Sequence, residues 1–299
     1  MRTDFTLGQV YYVLGDYRQA IDLLRSIVAA LTGELLQEYL SLNGQPSVLS
    51  RFYLVCCLAE LGAFAEGQTL GDEAIRIAEA GDSPFSRTEA YASIGRLSLR
   101  QGDVPTAIPL LERRLGVCQA ANIQQLVPWA ASDLGTAYAL SGRMAEALPL
   151  LEQAVAQATA MRSNTSLWPV QLGLGYLLAG RREDALLSAQ HALALAHTQR
   201  ERGYQAHALR LLGDIYTQHE PPDVVPAETH YQQALALAEE LGMRPLQAHC
   251  HRGLGTLYAT TSQREQARRE LATAIEMYRA MAMTFWLPQA EAALAQVEG

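Results

Sequence analysis

Apolar and small residues recur along this chain at spacings of three and four, broken about every 40 residues by a turn. Before each turn stands a small residue, then an aromatic three positions on, then a glycine four further on. Gly8, Tyr11 and Gly15 form one copy, Gly135, Tyr138 and Gly142 a second, Gly173, Tyr176 and Gly180 a third. Degenerate copies run from Val55 to Gly62, Gly95 to Gly102, Gly213 to Glu220 and Gly255 to Ser262. After the turn comes an alanine at five, a larger residue at nine and a small one at twelve, as in Ala147, Leu151 and Ala154 after Gly142, or Ala267, Leu271 and Ala274 after Ser262. At Gly180 the same offsets hold Ala185, Ala189 and Ala192. Such intervals place side chains on one helical face. Each unit is therefore predicted as helix, tight turn, helix, with small residues where the two helices meet. The sixth unit departs from this: its turn is drawn out through Pro221, Pro222 and Pro226, and its alanine, Ala227, arrives two residues late. Pro109 and Pro149 fall early in second helices.

The glycines carry more information than the leucines. Gly95, Gly135, Gly173, Gly213 and Gly255 all fall inside predicted first helices, where each costs roughly 1 kcal/mol against alanine. A cost that recurs in phase implies close helix approach at each site. A fixed period of this length describes stacked units rather than one globular core. The predicted fold is all-α: a right-handed superhelical solenoid of about seven helix-turn-helix repeats over residues 1–283, closed by a C-terminal capping helix at 284–299. Phe285, Trp286 and Leu287 would dock that helix on the last unit, with Glu291 and Glu298 exposed.

The phased glycine, tyrosine, glycine and alanine positions resemble the tetratricopeptide repeat in its longer version, over nearly the whole chain. The C-terminal third shows a closer likeness. Ala236 to Tyr258 and Glu276 to Leu287, together with Pro46 to Ser50 and Leu58 to Gly62, resemble the repeat tail of bacterial adenylate/guanylate cyclase–AAA ATPase–tetratricopeptide proteins. In that family the repeats follow a cyclase or ATPase module and sense or recruit a partner. The resemblance implies a regulatory region of a signalling protein; none of the family's catalytic motifs occurs in this chain. Phe5, Leu7 and Tyr12 begin the first unit without a polar cap, which leads to the expectation of preceding catalytic domains in a longer parent, as intramolecular partners.

Composition narrows the chemistry. The net charge of −8 argues against broad nucleic-acid binding. All 23 basic residues are arginine, so neither a P-loop lysine nor a Schiff-base lysine is available. No apolar run reaches the ~18 residues that span a bilayer, and the first residues lack a signal peptide's apolar stretch. Cys56, Cys57, Cys118 and Cys250 show no framework spacing, which suits reduced thiols and a cytoplasmic location. Cys56 and Cys57 are neighbours that point apart on a helix, as do His249, Cys250 and His251, which cannot converge on one metal ion. Arg113 with Arg114 and Glu239 with Glu240 read as solvated helix faces. No cofactor and no enzymatic activity are expected.

The repeat resemblance implies that first helices line a concave surface. Counting back from each turn gives one stripe per unit: Glu89, Ala92, Arg96 and Leu99, with Arg100 beside them; Trp129, Ser132, Thr136 and Ala139; Leu167, Val170, Leu174 and Leu177. The sixth unit adds His207, Arg210, Asp214 and Thr217, and the seventh His249, Arg252, Thr256 and Ala259. His207 and Arg210 repeat in register as His249 and Arg252, predicting a cationic ladder beside the apolar floor of the fourth and fifth units. The expected partner-binding set is Arg96, Arg100, Trp129, Leu174, Leu177, His207, Arg210, Asp214, His249 and Arg252. Such a groove suits a protein or peptide with apolar anchors and an acidic end. A small-ligand sensor, holding a nucleotide or metabolite through Arg210 and Arg252, is the alternative.

Overall fold

In the computed structural model, residues 2–33, 44–163 and 165–298 are described. Among them the chain forms seven antiparallel helix pairs and a final helix, with no strand. The pairs are α1 (Arg2–Leu14) and α2 (Tyr17–Ala30), α3 (Pro46–Leu61) and α4 (Phe64–Glu79), α5 (Pro84–Gln101) and α6 (Val104–Ala120), and α7 (Val127–Leu140) and α8 (Met144–Ala160). They continue through α9 (Leu167–Leu178) and α10 (Arg182–Gln199), α11 (Arg202–Thr217) and α12 (Val224–Leu241), and α13 (Arg244–Thr260) and α14 (Arg264–Ala280), ending in α15 (Leu287–Glu298). The turn glycines sit where the sequence phase put them; Gly102, for instance, caps α5 in the left-handed region at φ 89°.

The phased glycines inside first helices mark close helix contacts. A Cβ on Gly95 would lie 2.5 Å from Leu111, one on Gly135 2.8 Å from Leu151, and one on Gly255 2.6 Å from Leu271. In each case the opposing side chain is the large residue nine positions past the turn. In the sixth unit both alanine and large residue shift by two, and Tyr231 takes that place against Gly213 at 2.7 Å. The fifth unit has Ala189 there instead, and Leu211 of the next unit reaches in to 2.9 Å from Gly173. Pro109 and Pro149 lie on exposed faces of α6 and α8; the carbonyls they leave unbonded, on Pro105 and Ala145, belong to exposed first-turn residues where water can reach them.

The array closes on itself. The Gly15 turn abuts Arg202 and Gly203 at the start of α11, the Gly62 turn abuts Pro245 at the start of α13, and the Gly102 turn abuts Phe285 and Trp286. Leu54, Leu58 and Ile21 share a buried cluster with Leu209, Leu246 and Cys250. Val55, Phe64 and Leu97 share another with Ile275, Tyr278 and Met283. Trp286 and Leu287 pack against that second cluster as expected, joined by Leu294, and Phe285 and Trp286 also reach the third unit's turn at Gly102. Glu291 pairs with Arg279 at 2.5 Å and Glu298 stays exposed. The solenoid is thereby a closed superhelical turn whose first helices face inward.

Candidate functional site

The inward faces enclose a cavity of about 540 Å³. Nine of the ten expected partner-binding residues line it: Arg96, Arg100, Leu174, Leu177, His207, Arg210, Asp214, His249 and Arg252. Trp129 does not; it faces an adjoining chamber of about 690 Å³, to which Arg96, Tyr12 and Tyr204 also contribute. Tyr12 and Tyr204 hydrogen-bond through their hydroxyls at 3.0 Å across 192 residues of sequence, narrowing the passage between the two spaces. Leu167, Val170, Leu174 and Leu177 provide the apolar floor that the fifth unit predicted.

The expected cationic ladder is not what the fold builds. Arg210 is tied to Asp214 one helical turn away, and Tyr231 donates to the same carboxylate at 2.7 Å. His207 is 7% exposed and bonds Glu60 at 3.0 Å. Burial, reinforced by Arg100, pulls its pKa down to about 4, despite the attraction of Glu60. His249 accepts or donates to the Tyr278 hydroxyl at 2.8 Å, and burial, with Arg210 and Arg252, holds its pKa well below the usual imidazole range. Both histidines are therefore neutral at pH 7 and add no charge. Neither can gain charge just below pH 6.5, as a solvated imidazole would.

The other arginines are neutralised by carboxylates. Arg100 meets Glu60 at 2.7 Å; burial alone would raise the Glu60 pKa, but Arg100 and His207 together hold it at about 2. Arg96 meets Asp133 at 2.8 Å. Asp133 also takes Arg114 at 2.5 Å and Gln171 at 3.1 Å. Burial opposes ionisation of Asp133, yet the two guanidiniums keep its pKa below normal. Arg114 is 1% exposed, so its reading as a solvated residue is corrected: it points inward from a second helix, whereas Arg113 is exposed. Among the described residues of the cavity, Arg252 is the arginine without a carboxylate partner. Its guanidinium donates to Gln289 at 2.6 Å and lies 5.4 Å over the Trp286 ring. Four lining arginines (96, 100, 210, 252) against three carboxylates (60, 133, 214) leave 4 − 3 = +1.

Sequence reasoning missed Glu60, Asp133, Tyr12, Tyr204 and Trp286. One pairing had a visible signal: Glu60 stands two residues before Gly62 and Arg100 two before Gly102, the same level of neighbouring first helices. The contacts of Tyr12, Glu60 and Trp286 with distant units had none, because they depend on closure. His249 and His251 diverge, the latter to Glu270 at 2.6 Å, and among the described residues no group of three His, Cys, Asp or Glu is placed to hold a metal. All four cysteines are buried and unbridged, and no described helix is long and apolar enough to cross a membrane.

The tetratricopeptide repeat family matches residues 130–165. No characterised protein matches the sequence significantly. Solved structures match the fold along nearly its whole length. The Rap protein complexed with competence and sporulation factor superposes with a TM-score of 0.71 at 14% identity, covering 99% of this chain and 85% of that one. NprR in complex with its cognate peptide NprX gives 0.60 at 13% identity, covering 99% and 87%. A signal transduction ATPase with numerous domains and a tetratricopeptide repeat sensor, from Pyrococcus horikoshii, gives 0.53 at 15% identity, covering 93% of this chain and 42% of that one. Repeat phase, helix pairing and these superpositions agree that the chain is built as a solenoid of tetratricopeptide-type repeats.

Proposed function

We infer that this chain is a non-catalytic binding scaffold whose closed channel takes a short peptide segment with apolar residues and one anionic group. The observation that carries this is the lone uncompensated cation: Arg252, seated between Trp286 and Gln289, at one side of a cavity floored by leucines. A charge-assisted hydrogen bond from such a group contributes roughly 1.5–3 kcal/mol. The bound states named for NprR and Rap support the reading by architecture. The set Arg96, Arg100, Leu174, Leu177, His207, Arg210, Asp214 and His249 then forms the wall, mostly as neutral pairs that shape it. A small anionic metabolite or nucleotide is the second reading, favoured by a volume of about 540 Å³, inside the ~300–1,000 Å³ usual for small-molecule sites.

A regulatory region of a cytoplasmic signalling protein, of the cyclase–ATPase type, is the context proposed for this scaffold; the C-terminal motifs and the likeness to a repeat-bearing ATPase support it. The test is affinity selection from a synthetic pentapeptide library made twice, with free C-termini and with amidated ones. Free-acid peptides should be enriched by the wild type at least tenfold over their amides, and Arg252→Gln should erase that preference. Equal recovery of acids and amides, with no enrichment of Asp- or Glu-bearing peptides that Arg252→Gln abolishes, would remove Arg252 as an anion site. Retention of adenine nucleotides with no peptide enriched would favour the small-ligand reading.

A further inference from the structure

The adjoining chamber differs in chemistry from the channel. Phe5, Phe52, Tyr53, Phe85 and Trp129 wall it, with Tyr53 edge-on to Phe5 and Phe52 at 5.9 and 4.9 Å. These rings already accept a cation: the Arg96 guanidinium lies 5.5 Å over Phe52 and 5.3 Å over Trp129. Two buried oxygen groups face the same space. The Ser50 hydroxyl is wholly buried and has no hydrogen-bond partner, a state that costs stability unless a ligand or water relieves it. Glu89 is 6% exposed, and its contact with Arg114, at 3.6 Å, is longer than a hydrogen bond. Ser50 stands 12 residues before Gly62 and Glu89 13 before Gly102, so they share a level on adjacent first helices.

Charge points the same way. Arg96 and Arg114 stand against Glu89 and Glu201 in the chamber wall and are both tied to Asp133 behind it, so the chamber holds no uncompensated cation. Both oxygens of Glu201 are already occupied by Thr165 and Ser166, whereas Glu89 has the 3.6 Å ion pair with Arg114 and room for a further donor. Burial raises the Glu89 pKa against the pull of Arg114 and Arg96.

We propose that this chamber is a second binding site, for a primary ammonium group on an aromatic or apolar stem, held by Glu89 and Ser50 within the aromatic walls. A primary ammonium fits better than a quaternary one because it supplies N–H donors to both oxygens. The site is independent of Arg252 and of the channel reading.

The probe is 2-phenylethylammonium, compared at pH 7 with the neutral 2-phenylethanol by calorimetry on the whole chain. The wild type should bind the ammonium at least tenfold more tightly. Glu89→Gln should abolish that preference, Ser50→Ala should reduce it severalfold, and Arg252→Gln should leave it unchanged. Because Ser50→Ala removes an unpaired group, it keeps the fold and decides the matter even if Glu89→Gln unfolds. Phenylalanyl-alanine and its N-acetyl derivative separate the two sources of such an amine: binding that is lost on acetylation indicates a peptide N-terminus, binding of neither beside binding of 2-phenylethylammonium a small amine, and equal binding of both would count against ammonium recognition. Equal binding of ammonium and alcohol, binding of neither, or a preference that survives Ser50→Ala undiminished would overturn the proposal.

Discussion

Alanine should have opposite effects at two helical glycines of this chain. Gly116, on α6, has open space where a Cβ would project, with nothing within 4 Å. Gly135, on α7, has Leu151 Cγ at 2.8 Å and the Ala147 carbonyl oxygen at 3.1 Å from the same point. Either substitution recovers up to about 1 kcal/mol of helix propensity. At Gly116 that gain stands alone, so Gly116→Ala should stabilise by ~0.5–1 kcal/mol. At Gly135 the methyl meets a wholly buried leucine and a backbone oxygen that cannot swing aside. Overpacking costs ~1–3 kcal/mol, so Gly135→Ala should range from neutral to destabilising by ~2 kcal/mol. Gly135→Leu should fall well below both. Urea unfolding followed by far-ultraviolet circular dichroism gives the midpoints, with unchanged slopes required for comparison. If Gly116→Ala and Gly135→Ala raise the midpoint equally, the phased glycines do not mark close helix contacts and the packing argument fails.

Two further outcomes follow from the channel wall. Acid should weaken the fold in two stages: from about pH 6.5 to 4 the unfolded chain binds a proton that buried His207 refuses, and from about 4.5 towards 2 the paired Glu60 adds to the loss. His207 accounts for ~1–3 kcal/mol of the first stage, to which buried His249 adds. His207→Gln, which does not titrate, should reduce the slope and the double variant with His249→Gln should flatten it; a denaturation midpoint with the wild-type pH slope in His207→Gln would contradict the assignment. Arg114→Ala removes the ion-pair partner of buried Glu89 and leaves Asp133 to Arg96 and Gln171, and should cost ~3–5 kcal/mol, whereas Arg113→Ala, on the exposed face, should cost under ~0.5 kcal/mol. Matching melting temperatures for the two would restore the solvated reading of Arg114.

Repeat phase alone determined the helical units of this protein, because each helix pair is held by local contacts at fixed offsets. Gly135 against Leu151, or Gly255 against Leu271, could be expected from spacing before any coordinates, and even the two-residue slip of the sixth unit carried Tyr231 with it. The inward stripe was legible for the same reason. What lines up along one helix face stays on that face. Charge state and closure were not legible. Whether Arg210 is a free cation depends on Asp214 beside it, and whether His207 titrates near neutrality depends on Glu60, which stands 147 residues away in sequence. The first is a local i,i+4 pair on α11; the second exists only because small rotations between successive units accumulate until the turns at Gly15, Gly62 and Gly102 reach α11, α13 and the segment entering α15. No single repeat encodes that sum, so tertiary structure alone decided that the groove is a closed channel, that His207 is buried against Glu60, and that Trp286 comes to lie beside Arg252.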